Sequence, residues 1–414
     1  MHWLFRLLLP VMALTGLGCD DDNLVIDPFP IMLQLDAGVP LAMASAGDGG
    51  FVKVVIDTAA PITLMEDGAK PSLARELVTL TLAGIDGERP VPRARFLDAT
   101  PIFAKLAGVG MGVPTALSGV VGGDLLSRLA LRLDLSRSRM FLFPDIGGSS
   151  ESFHNACHAL LPSTPRGGGD FELGGGIVKF PPSRMLVGAC LEREATTVDC
   201  TARPSIACEP PEGDALLVVA SGVYPTVLTE NAYERFLGRE AEITFDTPLF
   251  LPGSNAPVLV HVTSLDRIAL AADESESRSP CQELHVTRLM RCNACEGSSF
   301  RCSCENGSPA CSAGAIVELS LADGMGFPVA VMRNDEKYIQ GLRNEMRPDV
   351  ADVDGLMGAS LLAHLVADVD YRNARIIIRC KSPALAGVTC MTTPRLPLGE
   401  TPACLFQTGA CTTK

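Results

Sequence analysis

One short pattern occurs twice in this chain, and its second copy has lost an acid. The first copy reads Val54-Val55-Ile56-Asp57-Thr58-Ala59-Ala60, followed later by Gly119-Val120-Val121-Gly122. The second reads Leu217-Val218-Val219-Ala220-Ser221-Gly222-Val223, followed later by Gly355-Leu356-Met357-Gly358. Residues 119–139 align on 355–375 without a gap at an offset of 236, and seven of the 21 pairs are identical, among them Gly119/Gly355, Gly122/Gly358 and Asp134/Asp370. The earlier turns align at an offset of 163, which sets Asp57 opposite Ala220 and Thr63 opposite Thr226. The second unit therefore holds more chain between its two motifs. Two related units in tandem predict a cleft between them, and such a cleft is a natural binding site.

The length of 414 residues gives room for two or three domains with proper cores. Apolar residues make up 47% and charged ones 20%, a globular composition. A net charge of -14 argues against nucleic acid as a partner, because a phosphate backbone would be repelled.

The N-terminus reads as an export signal over 1–18. Arg6 precedes an apolar run, Leu7 to Leu17, that Pro10 breaks and that is too short to span a bilayer. Gly18-Cys19 follows, then Asp20-Asp21-Asp22. A small residue directly before Cys resembles a bacterial lipoprotein signal, with Cys19 as the lipidated first residue of an acidic tether over 19–29. Gly16 stands where such signals usually carry a branched aliphatic residue, and Gly16-Leu17-Gly18 also suits an ordinary signal peptidase. The chain is thus expected to be exported, either lipid-anchored to the cell envelope or secreted. Setting Cys19 aside leaves fourteen of the fifteen cysteines, an even set that reads as a disulfide framework in an exported protein.

An apolar strand ending in an Asp-Thr-Gly-like turn, with a later apolar-apolar-Gly segment, resembles the aspartic peptidases of the pepsin and retropepsin type. The resemblance implies an all-β fold of two barrel-like lobes with short helices. It places a first lobe over 30–148, a linker over 149–179, and a second lobe over 180–380 with a Cys-rich insertion at 272–312. A disulfide-pinned tail takes up 381–414. In that family each lobe offers an Asp on a tight turn, and the two carboxylates share a proton, one acting as base on water and the other as acid. The next hydroxyl residue ties the two turns together, and the following Gly permits close backbone approach.

Carried over residue by residue, Asp57 is the first-lobe acid and Thr58 the inter-lobe hydroxyl. Ala59 stands where the family has Gly, so its methyl is expected to crowd the turn or shift it; Ala60 fits the pattern. Ser221 and Gly222 match the second turn. The segments Gly119–Gly122 and Gly355–Gly358 are the supports beneath. Ala220 occupies the place of the second acid. General acid–base assistance is worth about a hundred- to ten-thousand-fold per group, so its loss predicts severe impairment.

The leading expectation is an exported pseudo-peptidase that binds peptide or protein in the inter-lobe cleft, without a cofactor. One other reading is an active endopeptidase in which Asp57 works with another acid or a second chain. Another is an envelope protein that docks a partner through the Cys-rich insertion. Asp246-Thr247-Pro248 is a poor source of the missing acid, since Pro248 replaces the turn Gly. Asp134 and Asp370 are expected to pair or cap beside Arg139 and Arg375. Cys292-x-x-Cys295 with Cys302-x-Cys304 favours disulfides over zinc in an exported chain. His154 and His158 around Cys157 lack an acidic ligand, so no metal site is expected. Gly108-Val109-Gly110-Met111-Gly112 reads as a loop, because no strand–helix context surrounds it.

Overall fold

A computed structural model describes residues 29–46, 50–65, 78–84, 87–94, 97–98, 111, 117–143, 159–173, 176–192, 213–252, 254, 256–272, 280–281, 284, 316–321, 326–346, 352–380 and 388–393. The first lobe contributes β1 (Phe29–Met32), β2 (Gln34–Asp36), β3 (Val39–Ala46), β4 (Val52–Ile56), β5 (Leu64–Met65), β6 (Val78–Gly84), β7 (Gly87–Ala94), β8 (Leu97–Asp98), β9 (Gly119–Val121), helix α1 (Gly123–Leu126), β10 (Ala130–Asp134) and β11 (Arg139–Phe143).

The rest of the chain begins with β12 (Ala159–Pro162), β13 (Gly169–Leu173), β14 (Gly176–Phe180), β15 (Leu186–Glu192), β16 (Gly213–Val219), β17 (Thr226–Thr229), helix α2 (Glu230–Leu237), β18 (Thr247–Leu249), β19 (Val258–Leu265) and β20 (Arg267–Ala271). It continues with β21 (Ile316–Leu321), β22 (Phe327–Met332), helix α3 (Lys337–Met346), β23 (Gly355–Met357), helix α4 (Ala359–Leu362), β24 (Leu365–Asp370), β25 (Arg375–Cys380) and β26 (Val388–Thr393).

Local sequence explains the key elements. Val54-Val55-Ile56 is a β-branched run buried at the end of β4, and all seven residues of β15 are buried, as in a strand covered on both faces. Helix α2 starts where the Thr229 side chain accepts a hydrogen bond from Ala232 N at 3.3 Å, and stops at Gly238, whose φ of 65° suits a residue without Cβ.

The two lobes repeat one strand arrangement. In the first, β4 runs parallel to β9 and β5 runs antiparallel to β9. In the second, β16 runs parallel to β23 and β17 antiparallel to β23. The same backbone bonds recur at the same repeat positions. Asp57 N donates to Val121 O at 3.0 Å, as Ala220 N does to Met357 O at 3.0 Å. Gly123 N donates to Ala60 O at 2.7 Å, as Ala359 N does to Val223 O at 2.7 Å. Ser138 and Ala374, one repeat apart, both take left-handed backbone with φ of 52° and 50°.

A six-stranded sheet, ordered β1-β11-β10-β24-β25-β12, joins the lobes. Its centre is the antiparallel pair β10–β24, in register from Ala130 opposite Asp370 to Leu133 opposite Ala367. There Arg132 donates from Nε and Nη2 to the two oxygens of Asp368 at 2.8 and 3.0 Å, and Arg379 joins them at 3.0 Å. All three side chains are buried. The main apolar core runs through this junction, from Ile31 and Leu131 to Val369 and Ile376.

Residues 149–179, expected as a linker, hold β12, β13 and all but the last residue of β14. Ala159-Leu160-Leu161-Pro162 is too short to show a period, yet it pairs along β25 and completes the joining sheet. As expected of a pair or cap, Asp134 caps the turn after β10 by accepting from Arg137 N and Ser136 Oγ, and Asp370 takes Arg375 Nε at 3.0 Å. Disulfides link Cys190 in β15 to Cys281 and Cys380 to Cys390. The second of these ties β26, which pairs with β21, back to the body. Cys19 and the leader, His154, Cys157, His158 and most of the Cys-rich insertion lie outside the described residues. Among the described residues no helix is long and apolar enough to cross a membrane.

Candidate active site

The two repeated turns meet face to face between the lobes. Thr58 Oγ1 donates to Val219 O at 2.7 Å, and Ser221 Oγ donates to Ile56 O at 2.8 Å. In return, Thr58 N donates to Ser221 Oγ and Ser221 N to Thr58 Oγ1, each at 3.2 Å. Four hydrogen bonds in a closed, buried ring fix the two strand ends against each other. Beneath each turn the support is held by a matching threonine: Gly122 N donates to Thr63 Oγ1 and Gly358 N to Thr226 Oγ1, both at 3.1 Å. Gly122 and Gly358 pass so close to the chain at Ile62 and Pro225 that a Cβ at either would meet a carbonyl oxygen.

Asp57 sits at this junction without solvent exposure. Its Oδ1 accepts from Ala59 N at 3.0 Å and from Gly222 N at 3.2 Å. Ala59 N comes from its own turn, and Gly222 N from the opposite one. By the repeat symmetry, Gly222 N is placed to serve an acid at position 220. With Ala220 there, both turn amides converge on one carboxylate. Gly222 is required for this: a Cβ would lie 2.5 Å from Asp57 Cβ and 2.7 Å from Val55 Cγ1. Asp57 Oδ2 has no hydrogen-bond partner among the described residues. Ala220 and Ala59 lie fully buried in an apolar cluster with Val218, Val223 and Leu356. Ala59 therefore keeps its methyl in the second lobe's packing, and its φ is not positive. Asp246 is exposed and accepts from Thr247 Oγ1 at 3.1 Å.

Burial raises the Asp57 carboxyl from 3.8 to about 6, against the pull of the Ala59 and Gly222 amides and the Arg184 charge. The same cause raises Asp124, which accepts from Thr63 Oγ1 at 2.7 Å beneath the first turn, to about 6. A folded-state value above the ordinary one stabilises the fold fully below about pH 4 and loses that contribution as pH rises through about 6. For Asp57 the difference corresponds to about 3 kcal/mol. Asp57→Asn is therefore expected to flatten the stability profile by roughly this amount between about pH 4 and pH 7, with Asp124 unchanged in both proteins. Parallel denaturation profiles for the two proteins would contradict it.

Several groups at the site carry no signal in the sequence. Arg184 is buried and donates from Nε to Ala59 O at 3.1 Å, within the Asp57 turn. Its Nη1 makes an ion pair with Glu345 of α3. Tyr338, seven residues earlier on the same helix, lies near enough that Asp57 and Glu345 add to the burial that raises its phenol well above the usual range. Met111, from the glycine cluster read as a loop, bridges to the second lobe: its N–H donates to Pro248 O at 2.7 Å and its carbonyl accepts from Phe250 N at 2.9 Å.

No protein-family model matches this chain, and no curated protein matches it. Solved structures similar to it include Basic 7S globulin from soybean, at 14% identity over 86% of this chain and 95% of that chain, with a TM-score of 0.41. An aspartic proteinase from Irpex lacteus is similar at 10% identity over 87% of this chain and 99% of that chain, with a TM-score of 0.40. Likeness at this level says nothing about activity. By its own strand order and its two interlocked turns, the chain has an all-β, two-lobed, aspartic-protease-like fold.

Proposed function

We propose that this protein is an exported pseudo-peptidase, an aspartic-protease-like scaffold that binds an extended peptide or protein segment between its lobes and does not cleave it. The convergence of Ala59 N and Gly222 N on the single Asp57 Oδ1, with a methyl at position 220, carries the reading. Proton sharing between two carboxylates needs a second acid on Oδ2, and no described residue offers one there. A lone carboxylate can accept a proton but has no partner to polarise a carbonyl in the same step. The two described disulfides suit an oxidising compartment, in keeping with export, and Cys19 is the proposed anchor.

Purified protein incubated with an unfolded substrate from about pH 3 to pH 7 is expected to leave it intact and to co-purify with peptides from a mixed pool. Cleavage that disappears in Asp57→Asn would reverse this reading in favour of an active enzyme. In cell fractionation, the wild type should partition with membranes and Cys19→Ser should not.

A further inference from the structure

Arg184 is an unusual residue for its position. It precedes β15, and its backbone is clamped by Arg166, which exchanges two hydrogen bonds with it at 2.8 and 3.0 Å. The side chain is 4% exposed and reaches the Asp57 turn through the Ala59 carbonyl. Gly167, at φ of 67°, leaves room for it: a Cβ there would lie 2.8 Å from Nη1. One side of the guanidinium is thus committed to backbone. The other holds a carboxylate, and that carboxylate comes from Glu345.

Glu345 is a poor residue for its own helix. It is the penultimate residue of α3, where a carboxylate works against the helix dipole. Its side chain is 27% exposed while that of Arg184 is 4%. The acid therefore approaches from the rim and the base waits inside. A local choice that opposes its own helix is the pattern expected at a functional position. Tyr338 and Glu345, seven apart, share the face of α3 that carries the buried Leu342. Through the Arg184 ion pair this face is drawn onto the Asp57 turn, and Asp57 has no exposure.

We propose that Arg184 is a carboxylate-recognition site in the cleft, and that Glu345 occupies it as an internal stand-in for the carboxylate of a peptide ligand. The inference deepens the peptide-binding reading and rests on it. An incoming carboxylate takes the Nη1 side of Arg184, while the Ala59 carbonyl keeps the guanidinium in place. Glu345 is released to the rim, and the last turn of α3 loses its hold on the Asp57 turn. A planar, permanently charged guanidinium suits this exchange better than an ammonium would. A ligand carboxylate has two sources, a free peptide C-terminus or an acidic side chain.

Three extended peptides of one sequence separate these: one with a free C-terminus, one amidated, and one amidated with an internal Glu. Glu345→Gln keeps the shape of the side chain and removes its charge. It is expected to bind one of the two carboxylate-bearing peptides about tenfold more tightly than the wild type and to gain nothing for the amidated one. Whichever carboxylate peptide shows the gain identifies the source. Arg184→Gln in the Glu345→Gln background should abolish it. An equal gain for the amidated peptide, or peptide binding that Glu345→Gln leaves unchanged, overturns the proposal and makes Glu345 a fixed strut. A readout without peptide separates this from the binding function: in Glu345→Gln, the Arg184 Nε–Hε resonance should shift on titration with acetate and not with acetamide. If that shift appears while no peptide binds, the peptide reading fails and the carboxylate site stands; if it is absent, the site itself fails.

Discussion

Asp368→Ala is expected to cost about 3–5 kcal/mol of stability, the usual consequence of stranding buried charges. Asp368 is 1% exposed and is the counter-ion of both Arg132 and Arg379, which are 6% and 5% exposed. Removing it leaves two guanidinium groups in the middle of the sheet that joins the lobes. Chemical denaturation measures the loss. The complementary variant, with Arg132→Met, Asp368→Leu and Arg379→Met together, is expected to be near neutral or stabilised by about 1–4 kcal/mol, because a packed apolar trio avoids the desolvation cost. A loss below about 1 kcal/mol in Asp368→Ala would mean that water reaches the cluster.

This pair also bears on how the lobes assemble. Arg132 and Asp368 are repeat counterparts at the offset of 236, and they face each other directly across β10–β24. A position that meets its own counterpart lies on the pseudo-twofold axis. If two first lobes paired in the same way, Arg132 would meet Arg132, two buried like charges. The divergence of one copy to Asp favours the tandem pairing, and it weighs against a second chain bringing a second Asp57 to the site.

Ala220→Asp should place a second acid beside Asp57 at a cost in stability that grows with pH. The new carboxyl would sit in the apolar cluster opposite Asp57, whose Oδ2 has no donor. At about pH 4 one proton bridges the pair, and the variant should be nearly as stable as the parent. At about pH 7 the fold must protonate a carboxyl of ordinary value 3.8, work of about 4 kcal/mol, offset by about 2 kcal/mol from the charge-assisted hydrogen bond. A net destabilisation of about 2–4 kcal/mol at pH 7, and little at pH 4, is the expected result. Equal denaturation midpoints for variant and parent at both pH values would show that position 220 does not face Asp57.

Much of this site is legible in the amino-acid order. The aligned turns named Asp57, Thr58, Ala220 and Ser221, because a repeated apolar strand followed by a polar turn leaves a local signal. Thr63 and Thr226 were aligned in the same way, yet their shared task of holding Gly122 N and Gly358 N is visible only when the support segment passes over them. Arg184, Tyr338 and Glu345 gave no signal. Arg184 lies 125 residues from Ala59 in the chain and 161 from Glu345, and no local pattern marks a contact over such distances. The short strand at Ala159–Pro162 was missed because four residues carry too little periodicity to separate strand from linker.

The amino-acid order alone determined that the protein holds two related units in tandem, that each carries the same turn and support, and that the second has Ala220 where the first has Asp57. Those properties are local, set by side-chain identity and strand period. Only the tertiary structure decided that both turn amides serve one carboxylate, that an ion pair lies on the symmetry axis, and that Arg184 links the Asp57 turn to Glu345. Each of these depends on packing that brings distant strands within hydrogen-bonding range, and the cost of leaving a buried polar group unpaired then determines which partners meet.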